Sequence, residues 1–583
     1  MNRRTKKTNT IPPLEDPDGT VTMDSYEKAN LLNKTFQHVF TTDNQILPTI
    51  FAPSQLINPM IPFTITIYEV KDAIDNLKSS VSRTPDQIPS LFIKNCSPRL
   101  IQPITELFNL SLSTGKVPSC WKRAIVVPIF KKGIKRNPNN YRPISLTSIF
   151  CRLMEKIVKN QIIRHMNANH LISENQYGFV SRRSTLSLQF NLINQLTGNI
   201  DNKVSSDVLY LDFSKAFDRV SHCKLLHILS FYKLDSKTLA WLKDYLSFRK
   251  QSTVVENTFS ESCDITSGVP QGSVIGPILF IIYIEDLLRL LKSKFRSITV
   301  YAFADDLKLL GNNSNELQEA LELVNSWTKL WQLKIQPSKS ECIRFDKRLE
   351  RNNQMDIIDY KIDNNNIPVT SVVKDLGLYI TDDLKWTTYI NKILLKSNHM
   401  SYIILNSFQS RIPSLYVSLY KTYVRPIVEY NVSIWSPQLV TEIRLVESVQ
   451  KSFTRKVCKK LNIKYENYKH RLDILGLETL EYRRTKLDLI LLYKILNNFI
   501  DINSNLFFSN NHVQSIYNLR RHTQYLINPK PSRTSVRNNF YSNRIVKIWN
   551  KLPDSIVTSR TIHMFKFRLN QFSLTSLHDF VFK

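Results

Sequence analysis

The chain has 583 residues, 42% of them hydrophobic, and 79 Lys+Arg against 49 Asp+Glu leave a formal charge of +30. That length supplies two to four domains with a large core, and the ordinary apolar fraction excludes a disordered or fibrous chain. The cationic surplus argues for a polyanionic partner, nucleic acid before a membrane surface.

In chain order, Met1-Asn2-Arg3-Arg4-Thr5-Lys6-Lys7 is basic with no apolar run behind it, so no signal peptide is read there. Residues 1–65 read as a basic and polar N-terminal extension, with 1–60 loosely attached. Helical periodicity over Tyr68–Ile74 and Ile101–Leu112 marks a second, helical extension, 66–111. Asp86 lies in a Pro-rich loop, Thr84–Pro89. Ala124–Phe130 is strand-like and leads into the basic loop Lys131–Arg136. Helical patterns run to about 200, and Leu209-Tyr210-Leu211-Asp212 then reads as a central strand ending in a carboxylate. A helix from Ser214 and a β-rich turn region follow, and then Gly268, Gly272 and Gly276. Only 11 Gly occur in the chain, so three within nine residues mark a backbone that tolerates nothing else. The longest apolar run, Val274–Ile284, belongs to an apolar helix and is far too short to span a bilayer. Tyr301-Ala302-Phe303-Ala304-Asp305-Asp306 reads as a strand entering a hairpin, with a helix near Glu316–Trp331 behind it. After about 385 the pattern is almost wholly helical with basic faces.

The paired carboxylates Asp305 and Asp306, with Asp212 93 positions earlier, point to chemistry. Carboxylates on neighbouring strands of one sheet can share divalent cations, and two metals about 3.5–4 Å apart drive in-line phosphoryl displacement, as in polymerases. The charge is also uneven. Residues 391–583 hold 30 Lys+Arg against 11 Asp+Glu, with Tyr430, Trp435, Tyr465, Tyr468, Tyr482, Phe540, Tyr541 and Trp549 interleaved. Such a mixture suits stacking on unpaired bases, although most of those rings are expected in the core. The seven Cys include no Cys-x-x-Cys pair, which argues against a zinc site or disulfide framework and for a reducing compartment.

The ordered motifs resemble reverse transcriptases of non-LTR retrotransposons, jockey-like in type. Lys131 to Arg142-Pro143-Ile144-Ser145-Leu146 is similar to the fingers motif of that family, and Gln176-Tyr177-Gly178-Phe179 through Ser184-Thr185 to the next. Asp212–Asp218, Gly268–Gly276 and Phe303–Asp306 resemble the three palm motifs. Trp331–Phe345 and Leu376-Gly377 resemble the two that close the palm, and Arg544–Pro553 with Phe565-Lys566 also match. Seven motifs in family order are far more specific than any one of them.

The resemblance implies an α/β (α+β) right-hand polymerase: fingers and antiparallel-sheet palm over 112–384, helical thumb over 385–470, and a mostly helical basic C-terminal region over 471–583. It implies RNA-directed DNA polymerase activity, with template RNA, a DNA primer, their hybrid and deoxynucleoside triphosphates as partners, and no membrane. Asp212 and Asp305 would ligate two Mg²⁺ ions (Mn²⁺ a substitute) with Asp306 in support, activating the primer 3′-hydroxyl and neutralising the leaving pyrophosphate. Phe217 stands where the family places its sugar gate, under C2′, and favours deoxyribose. Gln271 and Gly272 would lie beneath the incoming base pair, the glycine letting the template-side backbone close in. Lys131, with Lys132 its equal alternative, and Arg142 would hold the triphosphate. Lys339 matches the lysine proposed to protonate pyrophosphate, worth about 10²–10⁴-fold. Relatives often carry Asn where Gln336 stands, which alters the loop around it. No stretch before residue 60 reads as the apurinic-type endonuclease of many relatives and no Cys/His knuckle closes the chain, so it reads as the polymerase half of an element. Nucleus or cytoplasmic ribonucleoprotein is the expected place. Two alternatives remain: a domesticated RNA-binding relic without catalysis, and an RNA-directed RNA polymerase.

Overall fold

The computed structural model describes residues 11–16, 18–51, 56–80, 84–345, 358–509, 526–577 and 579–582; the basic run Met1–Lys7 lies outside them. The main elements are α1 (Ser25–Gln37), α2 (Ile67–Asp75), α3 (Ser97–Thr114), β1 (Arg123–Phe130), β2 (Tyr141–Leu146), α4 (Ile149–Ala168), α5 (Thr185–Asp201), β3 (Ser206–Asp212), α6 (His222–Phe231), α7 (Ser236–Leu246) and β4 (Arg249–Val255). Then come α8 (Gly276–Lys294), β5 (Thr299–Phe303), β6 (Asp306–Gly311), α9 (Ser314–Leu330), β7 (Glu341–Phe345), β8 (Val372–Asp375), β9 (Leu378–Thr381) and α10 (Thr387–Ser407). Helices α11 (Val440–Lys460), α12 (Leu480–Leu496), α13 (Tyr541–Trp549) and α14 (Ile562–Gln571) complete the chain.

Several helix starts are written locally. Asp24 caps α1 by accepting from the Tyr26 and Glu27 amides, and Thr66 with Glu69 forms a capping box on α2. Ser184 and Ser187 do the same on α5.

The central sheet runs in the order β7–β3–β6–β5, all antiparallel neighbours. Its strands are apolar on both faces, and both faces are covered. Leu209, Leu211, Leu307 and Leu309 enter one core with Ile278–Ile284 of α8, while Val208, Leu310 and Ile343 enter a second with Leu188–Leu196 of α5 and the helices after residue 387. Helix α8 is buried almost all round, as its unbroken apolar run implies. The polar side chains it carries inward are matched: Glu285 pairs with Arg289 at 3.1 Å, and Asp286 accepts from Trp327 Nε1 at 2.8 Å. On the other face Lys308 of β6 meets Asp375 of β8 at 3.0 Å, both almost fully buried, which ties the hairpin β8–β9 to the central sheet. Removing one partner of such a pair leaves an uncompensated buried charge and costs about 3–5 kcal/mol.

A second sheet joins β2, β1 and β4, with β1 and β4 parallel. Gln271 O accepts from the Ser145 amide at 2.8 Å, so this sheet is fastened directly to the loop ahead of α8.

The N-terminal segment corrects the expectation of loose attachment. Ala29, Leu32 and Phe36 of α1 are buried in a small core with Val126 and Val255. Ile50, Ile57, Met60 and Ile65 enter the main core. The Phe51 amide donates to Asp286 Oδ1 at 2.6 Å and that of Met60 to Lys233 O at 2.8 Å. Each such apolar side chain contributes about 1.5–3 kcal/mol when fully buried. Ile50, Ile57, Met60 and Ile65 follow neither a helical nor a strand period, which is why sequence pattern does not announce them as core.

Among the described residues no helix is long and apolar enough to cross a membrane.

Candidate active site

The three carboxylates come together at one end of the central sheet. Asp212 is the last residue of β3 and Asp306 the first of β6, and the two are direct cross-strand partners. Such partners carry their Cβ atoms about 4.5–5.5 Å apart on the same face. Asp305 precedes Asp306 in the two-residue turn between β5 and β6. Burial raises the Asp305 carboxyl above its usual range and Asp212 adds to it, while Arg142 and Lys131 pull it down. Asp306, although exposed, is pushed up to about 6 by desolvation against the sheet and then by Asp305, with Lys308 opposing.

The opposing carboxylates form a sparse donor set rather than a cage. Among the described residues no group of three or more His, Cys, Asp or Glu closes on a point as a ready metal site. Mg²⁺ asks for no more: it keeps several waters and takes one or two carboxylates together with substrate phosphates. Asp212 and Asp305 fit that demand.

The remaining expected residues surround this end. Lys131 and Arg142 are exposed on the turn and strand of the β1–β2 hairpin, and the charges of both reach Asp305. Of the adjacent lysines, Lys132 acts on Glu341. Lys339 is exposed on a short 3₁₀ turn, Pro337–Lys339, and its Nζ donates to Gln336 Oε1 at 2.7 Å. That turn abuts the end of β3, because the Gln336 amide donates to Asp212 O at 2.9 Å and Ser340 Oγ accepts from the Asp212 amide at 3.3 Å. Phe217 lies in the short helix Ala216–Arg219, half-buried, its ring stacked on Phe280 of α8 at 4.5 Å between centroids. Gln271 Nε2 donates to Asp218 Oδ2 at 2.8 Å. Gly272 has φ +113°, and a Cβ there would lie 2.7 Å from Ser145 O, so the backbone this glycine admits is the protein's own β2.

Two neighbours escape the sequence reading. Asp218 is pushed up to about 6, first by burial, with Lys215, Gln271 and Arg142 opposing. Lys215 is lowered by burial, held up by Asp218 and pressed down by Arg219 and Lys339, so it stands between two parts of the site. Both lie inside the motif Asp212–Asp218, but nothing in spacing separates them from its structural residues. A small cavity beside them is closed by Phe36, Val39 and Phe40, which brings the N-terminal segment to the site's edge.

Residues 129–380 match the family described as reverse transcriptase (RNA-dependent DNA polymerase). Three curated relatives come from Drosophila melanogaster. The chain is 30% identical over 347 residues to a probable RNA-directed DNA polymerase from transposon BS, covering 56% of this chain and 38% of that protein. It is 26% identical over 431 residues to the probable RNA-directed DNA polymerase from transposon X-element, covering 72% and 46%. To the RNA-directed DNA polymerase from mobile element jockey it is 23% identical over 466 residues, covering 76% and 50%. The chain thus spans half or less of the length of these relatives. A solved apo telomerase from Candida tropicalis, truncated from its C-terminal domain, aligns at 11% identity over 46% of this chain and 54% of that chain, with a TM-score of 0.32. The fold class is mixed α/β with an antiparallel central sheet, as in a right-hand polymerase, and divalent-metal dependence goes generally with the matched family.

Proposed function

We propose that this chain, which carries a jockey-like reverse transcriptase domain over residues 129–380, is an RNA-directed DNA polymerase that extends a DNA primer on an RNA template. The observation that carries the reading is the pairing of Asp212 with Asp306 across adjacent strands, with Asp305 next to it in the turn between β5 and β6.

Asp212 and Asp305 would hold two Mg²⁺ ions, which supply an ionised primer 3′-hydroxyl and charge neutralisation at the departing pyrophosphate. The chain's own groups do the rest. Arg142 and Lys131, whose charges already reach Asp305, orient the triphosphate; Arg offers a planar fork and Lys a point charge. Phe217, fixed on Phe280, presents its free side to the sugar and excludes a 2′-hydroxyl. Gln271, tied to Asp218, supports the nascent pair from below. Lys339, beside the strand end that carries Asp212, delivers a proton to pyrophosphate. Helices from residue 387 onward grip template and hybrid through phosphates, as thumb and basic C-terminal region.

Primer extension on a homopolymer RNA, with Mg²⁺ and either deoxy- or ribonucleotides, tests this reading. Incorporation of deoxynucleotides with strong rejection of ribonucleotides is expected. RNA binding without incorporation would replace it by the relic, and equal use of ribonucleotides by an RNA polymerase.

A further inference from the structure

The turn that carries Asp305 is not self-supporting. Its first residue, Ala304, has φ +55°, a left-handed conformation that side-chain-bearing residues rarely adopt, so the surroundings must hold it. The support is the segment 175–178, which adds itself to the free edge of β5. The Ala302 amide donates to Asn175 O at 2.8 Å and the Tyr177 amide to Ala302 O at 2.7 Å. Gln176 is wholly buried there, and its Oε1 accepts from the amides of both Ala304 (2.9 Å) and Gly178 (2.8 Å). Two donors at one atom fix the sense of the amide. Its Nε2 is left buried without a hydrogen-bond partner, so the side chain serves through its oxygen. The approach is close: a Cβ at Gly178 would lie 2.5 Å from the Ala304 nitrogen.

The same segment is gripped from its other side. Arg183 Nη1 donates to Ser173 O at 2.6 Å and Gln176 O at 2.8 Å, while its Nε meets Asp501 Oδ2 at 2.7 Å. The Asp501 amide returns a bond to Arg182 O at 3.0 Å. Asp501 follows α12, more than 300 residues beyond Arg183, in the basic C-terminal region. An unbroken series of hydrogen bonds therefore runs from Asp501 through Arg183 and Gln176 to the backbone of the turn that bears Asp305.

We propose that Gln176 is a positioning residue for the Asp305 turn, and that the Arg183–Asp501 pair makes the C-terminal region part of the same support. The C-terminal region then sets the geometry of the chemical step as well as retaining the template. The kinetic consequence rests on the polymerase reading above; the support of the turn does not.

The test uses the full-length chain with Gln176→Met, Asp501→Asn, Arg183→Ala and the Arg183→Ala/Asp501→Asn pair. Two readouts are taken: amide hydrogen exchange at Ala304 and Gly178, and single-turnover extension over a Mg²⁺ titration. Exchange at both amides is expected to rise in Gln176→Met and, less, in Asp501→Asn, with protection in α8 unchanged. The single-turnover rate should fall roughly 10–100-fold for Gln176→Met, as for other groups that orient metal ligands, with more Mg²⁺ required and KM for primer–template unchanged. The double variant should match Arg183→Ala alone, because both remove one link. Asp501→Asn keeps shape and folding and so carries the test should Gln176→Met not fold. Unchanged exchange at Ala304 in every folded variant would overturn the proposal. So would an Asp501→Asn chain that loses template affinity with its single-turnover rate intact. A wild-type chain without polymerase activity, in which Ala304 exchange still responds, would sink the proposed function and support the positioning role.

Discussion

The carboxylates of the site are held by backbone register, whereas its cations are held by almost nothing. Asp212 and Asp306 face each other because β3 and β6 pair in that register, and a slip of one residue would turn one strand's side chains to the opposite face and part the two carboxylates. Lys131, Arg142 and Lys339 reach the same end of the sheet from exposed turns and a strand edge. The difference follows the chemistry. Metal ligands tolerate little displacement, and a rigid sheet enforces their spacing. Cations that meet a mobile triphosphate gain from reach, and their long side chains lose entropy only when substrate arrives.

The largest break in this comparison comes from a carboxylate. Asp305→Asn is expected to lower the single-turnover rate by roughly 10³-fold or more, the several kcal/mol of charge stabilisation that a bound metal supplies, while RNA affinity stays unchanged. Activity retained at a tenth of wild type would mean that the metal ligands are misassigned. Lys339→Ala should slow the chemical step by about 10²-fold, at the lower end for a general acid because the lysine is exposed, and should leave nucleotide KM alone. An unaltered rate would return Lys339 to the surface. Arg142→Ala should act the other way, raising KM for deoxynucleotides about 10-fold, the loss of one charge-assisted contact. Steady-state kinetics with a saturated primer–template reads that split. Phe217→Ala should raise ribonucleotide use by roughly 10-fold, the scale of a steric discrimination of 1–3 kcal/mol; unchanged sugar selectivity would remove the gate.

The smallest effect concerns Asp218. Its carboxyl keeps a proton up to about pH 6 in the folded chain but only to 3.8 as a free side chain. Between those values the folded state binds more protons than the unfolded one, so its contribution makes stability fall as pH rises. Asp218→Asn should flatten that decline in thermal unfolding followed from pH 4 to 6. An identical pH slope in the variant would show that burial of this carboxyl is weaker than the structure indicates.

The motifs reveal more about the site than about the scaffold. Asp212, Asp305, Asp306 and the glycine cluster stand out because chemistry and backbone geometry demand those residue types at fixed places. The strands Ala124–Phe130 and Leu209–Asp212 were readable as short apolar runs, and the buried helix after Gly276 as a longer one. The N-terminal segment was not readable, since Ile50, Ile57 and Met60 reach the core without a period. Nor was the difference between Lys131, whose charge reaches Asp305, and Lys132, whose charge reaches Glu341.

Local sequence, then, determined the helix starts and the identity of the acidic residues, because capping and charge act over a few neighbouring positions, while the fold class followed from the resemblance carried by the ordered motifs. Tertiary structure alone decided that Gln176 holds the Ala304 amide, that Lys308 finds Asp375, and that Asp501 closes on Arg183. Those partners are separated by 67 to more than 300 residues. A hydrogen bond or ion pair depends on distance in space, and distance along the chain carries no trace of it until the sheet has formed.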